Sequence, residues 1–133
     1  MGSYLHYECP SCRFRASVGG PEEFYLAPSG ERLAHGHPEP VSPEAEARGV
    51  DGFWMHLWCA ACRRVQRVIT LEFVEPCGAL AAWSGRGLPK PGYPAPAEAC
   101  PACGEKLDDE IPGLDPICPG CRQGVLATRH RSD

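Results

Sequence analysis

The sequence lacks any long uninterrupted run of apolar residues. No stretch approaches the roughly 20 residues that a transmembrane helix needs. The amino terminus, MGSYLHYECPSC, has neither the basic run nor the apolar segment of a secretory signal. We therefore expect a cytoplasmic protein rather than a membrane or secreted one. In a reducing cytoplasm, clustered cysteines are more often metal ligands or redox groups than structural disulfides.

The sequence also has little with which to build a large apolar core. It holds 15 glycines and 15 prolines among 133 residues, and these interrupt long regular elements. Its hydrophobic fraction of 43% includes nine cysteines. Because small domains with thin cores usually need a disulfide or a metal, we expect a small β-rich, metal-stabilised fold with short antiparallel strands and little helix.

Eight of the nine cysteines fall in Cys-x-x-Cys pairs. A tight turn through such a pair places two sulfurs on one side of an ion, and a second turn completes a tetrahedral shell. Four pairs are therefore enough for two closed four-cysteine sites. The predicted metal ligands are Cys9, Cys12, Cys59, Cys62, Cys100, Cys103, Cys118 and Cys121. Cys77 has no partner of this kind, and we expect a free thiol there.

Similarity between the pairs suggests which of them share an ion. Residues 5–15, LHYECPSCRFR, align with residues 55–65, MHLWCAACRRV, on an apolar residue, a histidine, both cysteines and an arginine. The pairs CPAC and CPGC repeat in the second half in a more compact form. This predicts one site from Cys9, Cys12, Cys59 and Cys62, and another from Cys100, Cys103, Cys118 and Cys121. An interleaved arrangement, with the pair at 59 and 62 beside the pair at 100 and 103, stays open because sequence does not fix connectivity.

The stretch CPACGEKLDDEIPGLDPICPGC, residues 100–121, resembles the zinc-ribbon proteins with their rubredoxin-like knuckles. The resemblance is close over residues 100–126 and looser over residues 4–74. It implies that each Cys-x-x-Cys forms a knuckle at the tip of a β-hairpin and that two knuckles clamp one ion, which gives two structural Zn²⁺ per chain. Iron in the same four-thiolate shell remains the alternative. Arg122 stands where the family often has glycine, so the geometry of that turn is open.

We expect two lobes and a linker. Residues 1–75 form the first zinc-ribbon lobe with a long inserted loop at 27–52, and residues 100–133 form a second, compact ribbon with a short tail. Residues 76–99 are rich in proline and glycine and form either a semi-stiff tether or a segment that folds back through its aromatic residues.

Local patterns predict few regular elements. Alternating apolar residues predict strands over residues 13–18, 53–58 and 65–74. A short helix is predicted where Ser42 can cap, a proline occupies the first helical position and Gly49 ends the segment.

Charge bears on the choice of partner. The formal net charge is −4, and eight thiolates around two divalent ions would make it more negative, which argues against non-specific nucleic-acid binding. Local basic patches remain, and they comprise Arg63, Arg64, Arg67, Arg122, Arg129, His130 and Arg131. His35 and His37 flank a glycine in the long loop, but a surface pair without a third ligand is not by itself a metal site.

These observations predict a structural-zinc module without catalytic activity, because a closed four-thiolate shell leaves no open coordination position for substrate. We expect its partner to be another protein, with no membrane and no small-molecule substrate. The first alternative is a nucleic-acid-associated zinc ribbon that uses Arg63, Arg64 and Arg67. The second is a rubredoxin-like iron electron carrier.

Overall fold

A computed structural model describes residues 2–37 and 39–132. Within these residues the chain forms six strands and two short helices, which confirms the predicted fold class. The strands are β1 (Ser3–Glu8), β2 (Arg15–Leu26), β3 (Arg32–Ala34), β4 (Val50–Cys59), β5 (Arg64–Cys77) and β6 (Ala127–Ser132). The helices are α1 (Pro43–Arg48) and α2 (Ala79–Trp83).

The strands form one antiparallel sheet with the order β5-β4-β2-β1-β6, and β3 pairs with β2 beside that path. β1 and β2 form one hairpin, and β4 and β5 form a second, longer one. β6 comes from the far end of the chain and pairs with β1 from Ser3↔Ser132 to Glu8↔Ala127. The two ends of the described chain are therefore neighbours in the sheet.

The predicted helix is confirmed as α1. The Ser42 hydroxyl accepts a hydrogen bond from the backbone N–H of Ala45 at 3.1 Å, as an N-cap does. Gly49 ends the helix with φ 87°, a conformation that favours glycine. Part of the predicted loop at 27–52 is therefore regular structure.

The core is divided into three small clusters rather than one large one. One cluster surrounds Trp58 and Tyr7, another surrounds Phe53 and Phe73, and a third surrounds Leu57. The first and third clusters each contain buried cysteines. Cysteine pairs thus occupy places that aliphatic side chains fill in a larger domain.

The segment after α2 folds back on the sheet. Three backbone hydrogen bonds of 2.8 Å join it to β5, from Val74 N–H to Leu88, from Lys90 N–H to Glu72 and from Ala95 N–H to Thr70. The boundaries of the two lobes and of the linker, given above from the sequence, stay a prediction. Neither helix in the described part of the chain has the length and apolar character needed to span a bilayer.

Candidate metal centres

The eight paired cysteines lie in two groups of four, and in each group the sulfurs lie within 4.8 Å of one another. We call them cluster A and cluster B. Cluster A comprises Cys9, Cys12, Cys118 and Cys121. Cluster B comprises Cys59, Cys62, Cys100 and Cys103.

The sulfur separations match the edges of a metal-centred tetrahedron. In cluster A, Cys9 and Cys121 are 3.6 Å apart, as are Cys12 and Cys118. Cluster B has separations of 3.5 Å from Cys59 to Cys103 and 3.9 Å from Cys62 to Cys100. Four sulfurs at about 2.3 Å from a central zinc would be about 3.8 Å apart. A disulfide needs about 2.05 Å, so these thiols are free and arranged around a common point.

The predicted pairing of the knuckles is wrong, and the interleaved alternative is correct. The pair at 9 and 12 meets the pair at 118 and 121, whereas the pair at 59 and 62 meets the pair at 100 and 103. Each cluster therefore joins the Cys-x-x-Cys turn of a hairpin, β1–β2 or β4–β5, to one of the two Cys-x-x-Cys turns between residues 100 and 121. We call the segments that carry these last two turns the compact arms. The alignment of residues 5–15 with residues 55–65 reflects a shared local role at a hairpin tip, not a shared ion.

Strand pairing explains cluster A. The register of β1 against β6 ends at Glu8↔Ala127, so the knuckle after β1 and the knuckle before β6 emerge at the same end of the sheet. The approach is close at Gly124, where a Cβ would lie 2.7 Å from the Cys9 sulfur. Tyr7 adds a second link, since its hydroxyl accepts the backbone N–H of Ile111 at 3.0 Å.

A backbone bridge explains cluster B. Trp58 and Asp108 exchange two backbone hydrogen bonds, each of 2.8 Å. Trp58 precedes Cys59 at the end of β4, and Asp108 follows the compact arm that carries Cys100 and Cys103. The bridge therefore holds that arm against the tip of the second hairpin. The spacing of the cysteines could not predict this contact. The contact depends on how the segment before Cys100 runs across the sheet.

Backbone amides point at sulfurs in both clusters. In cluster A, the N–H groups of Ser11 and Phe14 donate to Cys9 and Cys12 at 3.4 Å, and Gly120 donates to Cys118 at 3.3 Å. In cluster B, Cys62 donates to Cys59 at 3.3 Å and Ala102 to Cys100 at 3.4 Å. Such donors stabilise thiolate, the form that binds a metal.

These contacts change the ionisation of individual thiols. The amides of Gln123 and Gly124 lower the pKa of the Cys121 thiol to about 6. Burial raises the pKa of Cys100, but backbone and thiol hydrogen bonds outweigh it, and the pKa falls to about 7. Neighbouring thiols raise the pKa of Cys62 to about 12. Each cluster thus contains at least one thiol whose proton is released readily and others that need a cation nearby.

Three of the four knuckles place a left-handed residue four positions after the first cysteine. Gly104 has φ 81°, and Arg63 and Arg122 hold the corresponding positions with φ 59° and φ 62°. Arginine at position 122 therefore adopts the backbone that glycine adopts more readily. Arg63 has a second role, because its guanidinium donates to the Pro119 carbonyl at 2.9 Å and so connects the cluster B knuckle to a cluster A knuckle.

The remaining candidates lie apart from the clusters. His6 pairs with the Ser17 hydroxyl at 2.7 Å, and His56 pairs with Glu22 at 2.7 Å. Cys77 belongs to neither group of four, and burial followed by the charge of Asp51 raises the pKa of its thiol. It is not placed to act as a ligand in either cluster.

Sequence reasoning missed a buried carboxylate beside the two loop histidines. Glu23 has a fully buried side chain, with His37 Nδ1 at 2.8 Å from Oε1 and His35 Nδ1 at 3.3 Å from Oε2. Trp83 Nε1 donates to the same carboxylate. The three residues 23, 35 and 37 are not among the ligand groups that converge on one point in the described residues. The histidines therefore fasten the loop to the sheet through a polar cluster.

No protein-family model, curated protein or solved structure matches this chain. The two four-cysteine clusters are consistent with zinc-ribbon-like metal sites on their own geometry.

Proposed function

We propose that each cluster holds one structural Zn²⁺ and that the protein is a metal-folded module without catalysis. The observation that carries the proposal is the pair of four-sulfur clusters with separations of 3.5 to 3.9 Å and inward-pointing amides. When bound, the ion would draw the thiolates together and neutralise part of their charge. Four cysteines close the shell, so a metal-bound water has no position there.

The metal ions would be part of folding because they hold a segment with almost no regular structure. Between residues 99 and 126, the contacts of sheet type are isolated bridges, such as Ala99↔Lys106 and Ile117↔Val125. The segment nevertheless buries Leu107, Ile111 and Leu126 against the sheet. A structural zinc contributes on the order of 10 kcal/mol, which is comparable with the whole stability of a small domain.

We further propose that the module recognises another protein through this metal-held segment. Exposed apolar side chains on this segment support the proposal. Leu114 is fully exposed, and Ile117 and Val125 are 54% and 47% exposed although they face each other across a β-bridge. Exposed apolar side chains that lie together, as Ile117 and Val125 do, are used in protein-binding surfaces. The acidic net charge of −4 is compatible with such a partner.

Capture from an extract of the native cell tests this proposal. The bait is the full, zinc-loaded chain, and the matched variants are Leu114→Glu on the segment and Leu88→Glu, an equally charged change at a residue that is 70% exposed elsewhere. We expect a defined protein to be retained by the parent chain and by Leu88→Glu but lost with Leu114→Glu. Equal retention by all three baits would contradict the assigned surface.

Iron is the alternative to zinc in these clusters, and the visible absorption of the purified protein distinguishes the two metals. Rubredoxin-like iron bound to four thiolates absorbs visible light, whereas Zn²⁺ is a d¹⁰ ion and gives a colourless protein. Protein purified without added metal should therefore be colourless. A visible absorption band that disappears on reduction would support the electron-carrier alternative.

A further inference from the structure

One face of the sheet carries a row of paired residues that crosses five strands, with a side chain on every strand except β2, where the residue is Gly19. The register joins Arg131 on β6 to Tyr4 on β1, Tyr4 to Gly19 on β2, Gly19 to His56 on β4, and His56 to Arg67 on β5. Directly paired residues in an antiparallel sheet lie on the same face. At about 4.8 Å per strand, the two arginines at the ends of the row are roughly 19 Å apart along the sheet.

A second row runs beside the first and contains Arg129, His6 and Ser17. The two rows line adjoining cavities of about 540 Å³ and 320 Å³ that share His6 and Ser17. Together they form an open groove across β6, β1 and β2 that continues to His56 on β4. We call it the sheet-face groove.

Hydrogen bonds hold the rings of this groove in place. The Tyr4 hydroxyl donates to Glu22 at 3.0 Å, and His56 Nε2 is 2.7 Å from the same carboxylate. The Tyr4 and His6 rings lie 6.2 Å apart with an interplanar angle of 20°. Side chains fixed in this way lose little conformational freedom when a ligand stacks on them.

The groove is basic on an acidic protein. Its two rows carry Arg67, Arg129 and Arg131, all exposed. The carboxylate of Glu22 lies in the middle of the first row, between Tyr4 and His56. Arg67 also lies 3.9 Å from the ring centre of Trp54, which orients its guanidinium at one end of the row. Glu8 and Arg15, at the other margin of the groove, pair with each other at 3.1 Å.

We propose that the sheet-face groove binds single-stranded nucleic acid. Arginines at both ends of a flat surface suit a phosphate backbone, and the rings between them suit unpaired bases. A purely acidic protein segment would use the arginines but would gain little from Tyr4 and His6. This inference goes beyond the proposed protein-binding role and does not depend on it, since the groove and the metal-held segment 99–126 use different residues.

The negative net charge does not prevent this binding, and the contacts between arginines and phosphates make the binding sensitive to salt. Exposed charges are screened over about 8 Å at physiological ionic strength, so the arginines of the groove act on a ligand at contact more strongly than distant carboxylates do. Each phosphate contact contributes about −0.7 to the slope of log K against log salt for a single strand. Three arginine contacts therefore predict a slope of about −2.

Fluorescence anisotropy with a labelled oligouridine and the full zinc-loaded chain tests the proposal. We expect saturable binding at about 50 mM salt that weakens towards 200 mM with the slope given above. Arg129→Ser should reduce the steepness of the slope by about 0.7. The matched control is Arg86→Ser, which removes the same charge from an exposed arginine outside the groove and should leave the slope unchanged.

Tyr4 variants separate stacking from charge. Tyr4→Leu should weaken binding at least about fivefold, because stacking of a base on an aromatic ring is lost. Tyr4→Phe keeps the ring but loses the hydrogen bond to Glu22 that holds it, so its affinity should lie between that of the parent chain and that of Tyr4→Leu. A duplex of the same length should bind more weakly, since its bases are not available for stacking.

Several outcomes would overturn the inference. The first is no change in anisotropy at about 50 mM salt, and the second is an equal effect of Arg129→Ser and Arg86→Ser on the slope. The third is equal affinity for duplex and single strand. The fourth is that polyglutamate of matched charge displaces the labelled oligouridine as well as unlabelled oligouridine does. The last result would assign the groove to an acidic protein. None of them affects capture of a partner by the segment that carries Leu114, so the two proposals fail separately.

Discussion

The sulfurs of Cys9 and Cys121 lie 3.6 Å apart although the residues are separated by 112 positions in the chain. The contact joins the turn after the first strand to the turn before the last one. A metal ion at this point would close most of the chain into a loop, and a cross-link of that length restricts the unfolded state strongly.

The first prediction concerns the pairing of the knuckles, measured as metal ions per chain by native mass spectrometry. Cys9→Ser combined with Cys121→Ser damages cluster A alone and should leave one ion. Cys9→Ser combined with Cys59→Ser damages both clusters and should leave none. If the hairpin knuckles shared one ion instead, the two results would be exchanged.

The second prediction concerns the contact between Gly124 and Cys9. Gly124→Ala places a methyl group 2.7 Å from the Cys9 sulfur, so the ligand must move and cluster A should lose about tenfold or more in metal affinity. The measurement is competition with a chelator of known affinity. Gly120→Ala is the control, because its added Cβ meets the Cys118 sulfur at an ordinary 3.5 Å. Equal affinity in both variants would show that the close approach is not a constraint.

The third prediction concerns the left-handed positions in the knuckles. Gly104→Ala should destabilise the zinc-loaded protein by about 1 kcal/mol, because alanine is strained at φ 81° although nothing lies within 4 Å of its Cβ. Arg122→Gly should stabilise it by up to about 1 kcal/mol, since glycine relieves that strain but gains freedom in the unfolded chain. Urea unfolding measures both.

The control for these changes is Gly78→Ala, where the added Cβ also meets nothing within 4 Å but the backbone φ of −67° suits alanine. It should be neutral or slightly stabilising. A loss at Gly78 as large as that at Gly104 would remove the backbone explanation.

The fourth prediction concerns Glu23. Replacement by leucine removes the acceptor of the Trp83 N–H and the carboxylate oxygens that lie beside His35 and His37, and the free energy of unfolding should fall by about 3 kcal/mol. Glu75→Leu, at an exposed position, should change it by less than about 0.5 kcal/mol. Similar values for the two variants in urea unfolding would mean that the polar cluster does not fasten the loop.

Local features of this protein could be predicted from its sequence, and contacts between distant segments could not. The capped helix after Ser42 and the β-rich character follow from residue patterns over a few positions. The grouping of cysteines into two fours follows from their number and spacing. That these eight bind metal stays a prediction.

The predicted pairing of the Cys-x-x-Cys turns was wrong because similarity between two segments of sequence does not measure their distance in the fold. The segments at Cys9 and Cys59 are alike because both end a strand at a hairpin tip, and that likeness carries no information about which compact arm each tip meets. The deciding contacts are β1 with β6 and Trp58 with Asp108. Both are long-range backbone pairings without a motif. Glu23 was missed for the same reason, since only the folded sheet brings it beneath the two histidines.

Elemental analysis of the intact chain purified without added metal shows whether the two cysteine clusters hold zinc. We expect two zinc ions per chain, bound by thiols that remain free of disulfides, and loss of cooperative unfolding once a strong chelator has removed the ions. A folded chain that contains no stoichiometric metal, or one that unfolds unchanged after chelation, would contradict this expectation.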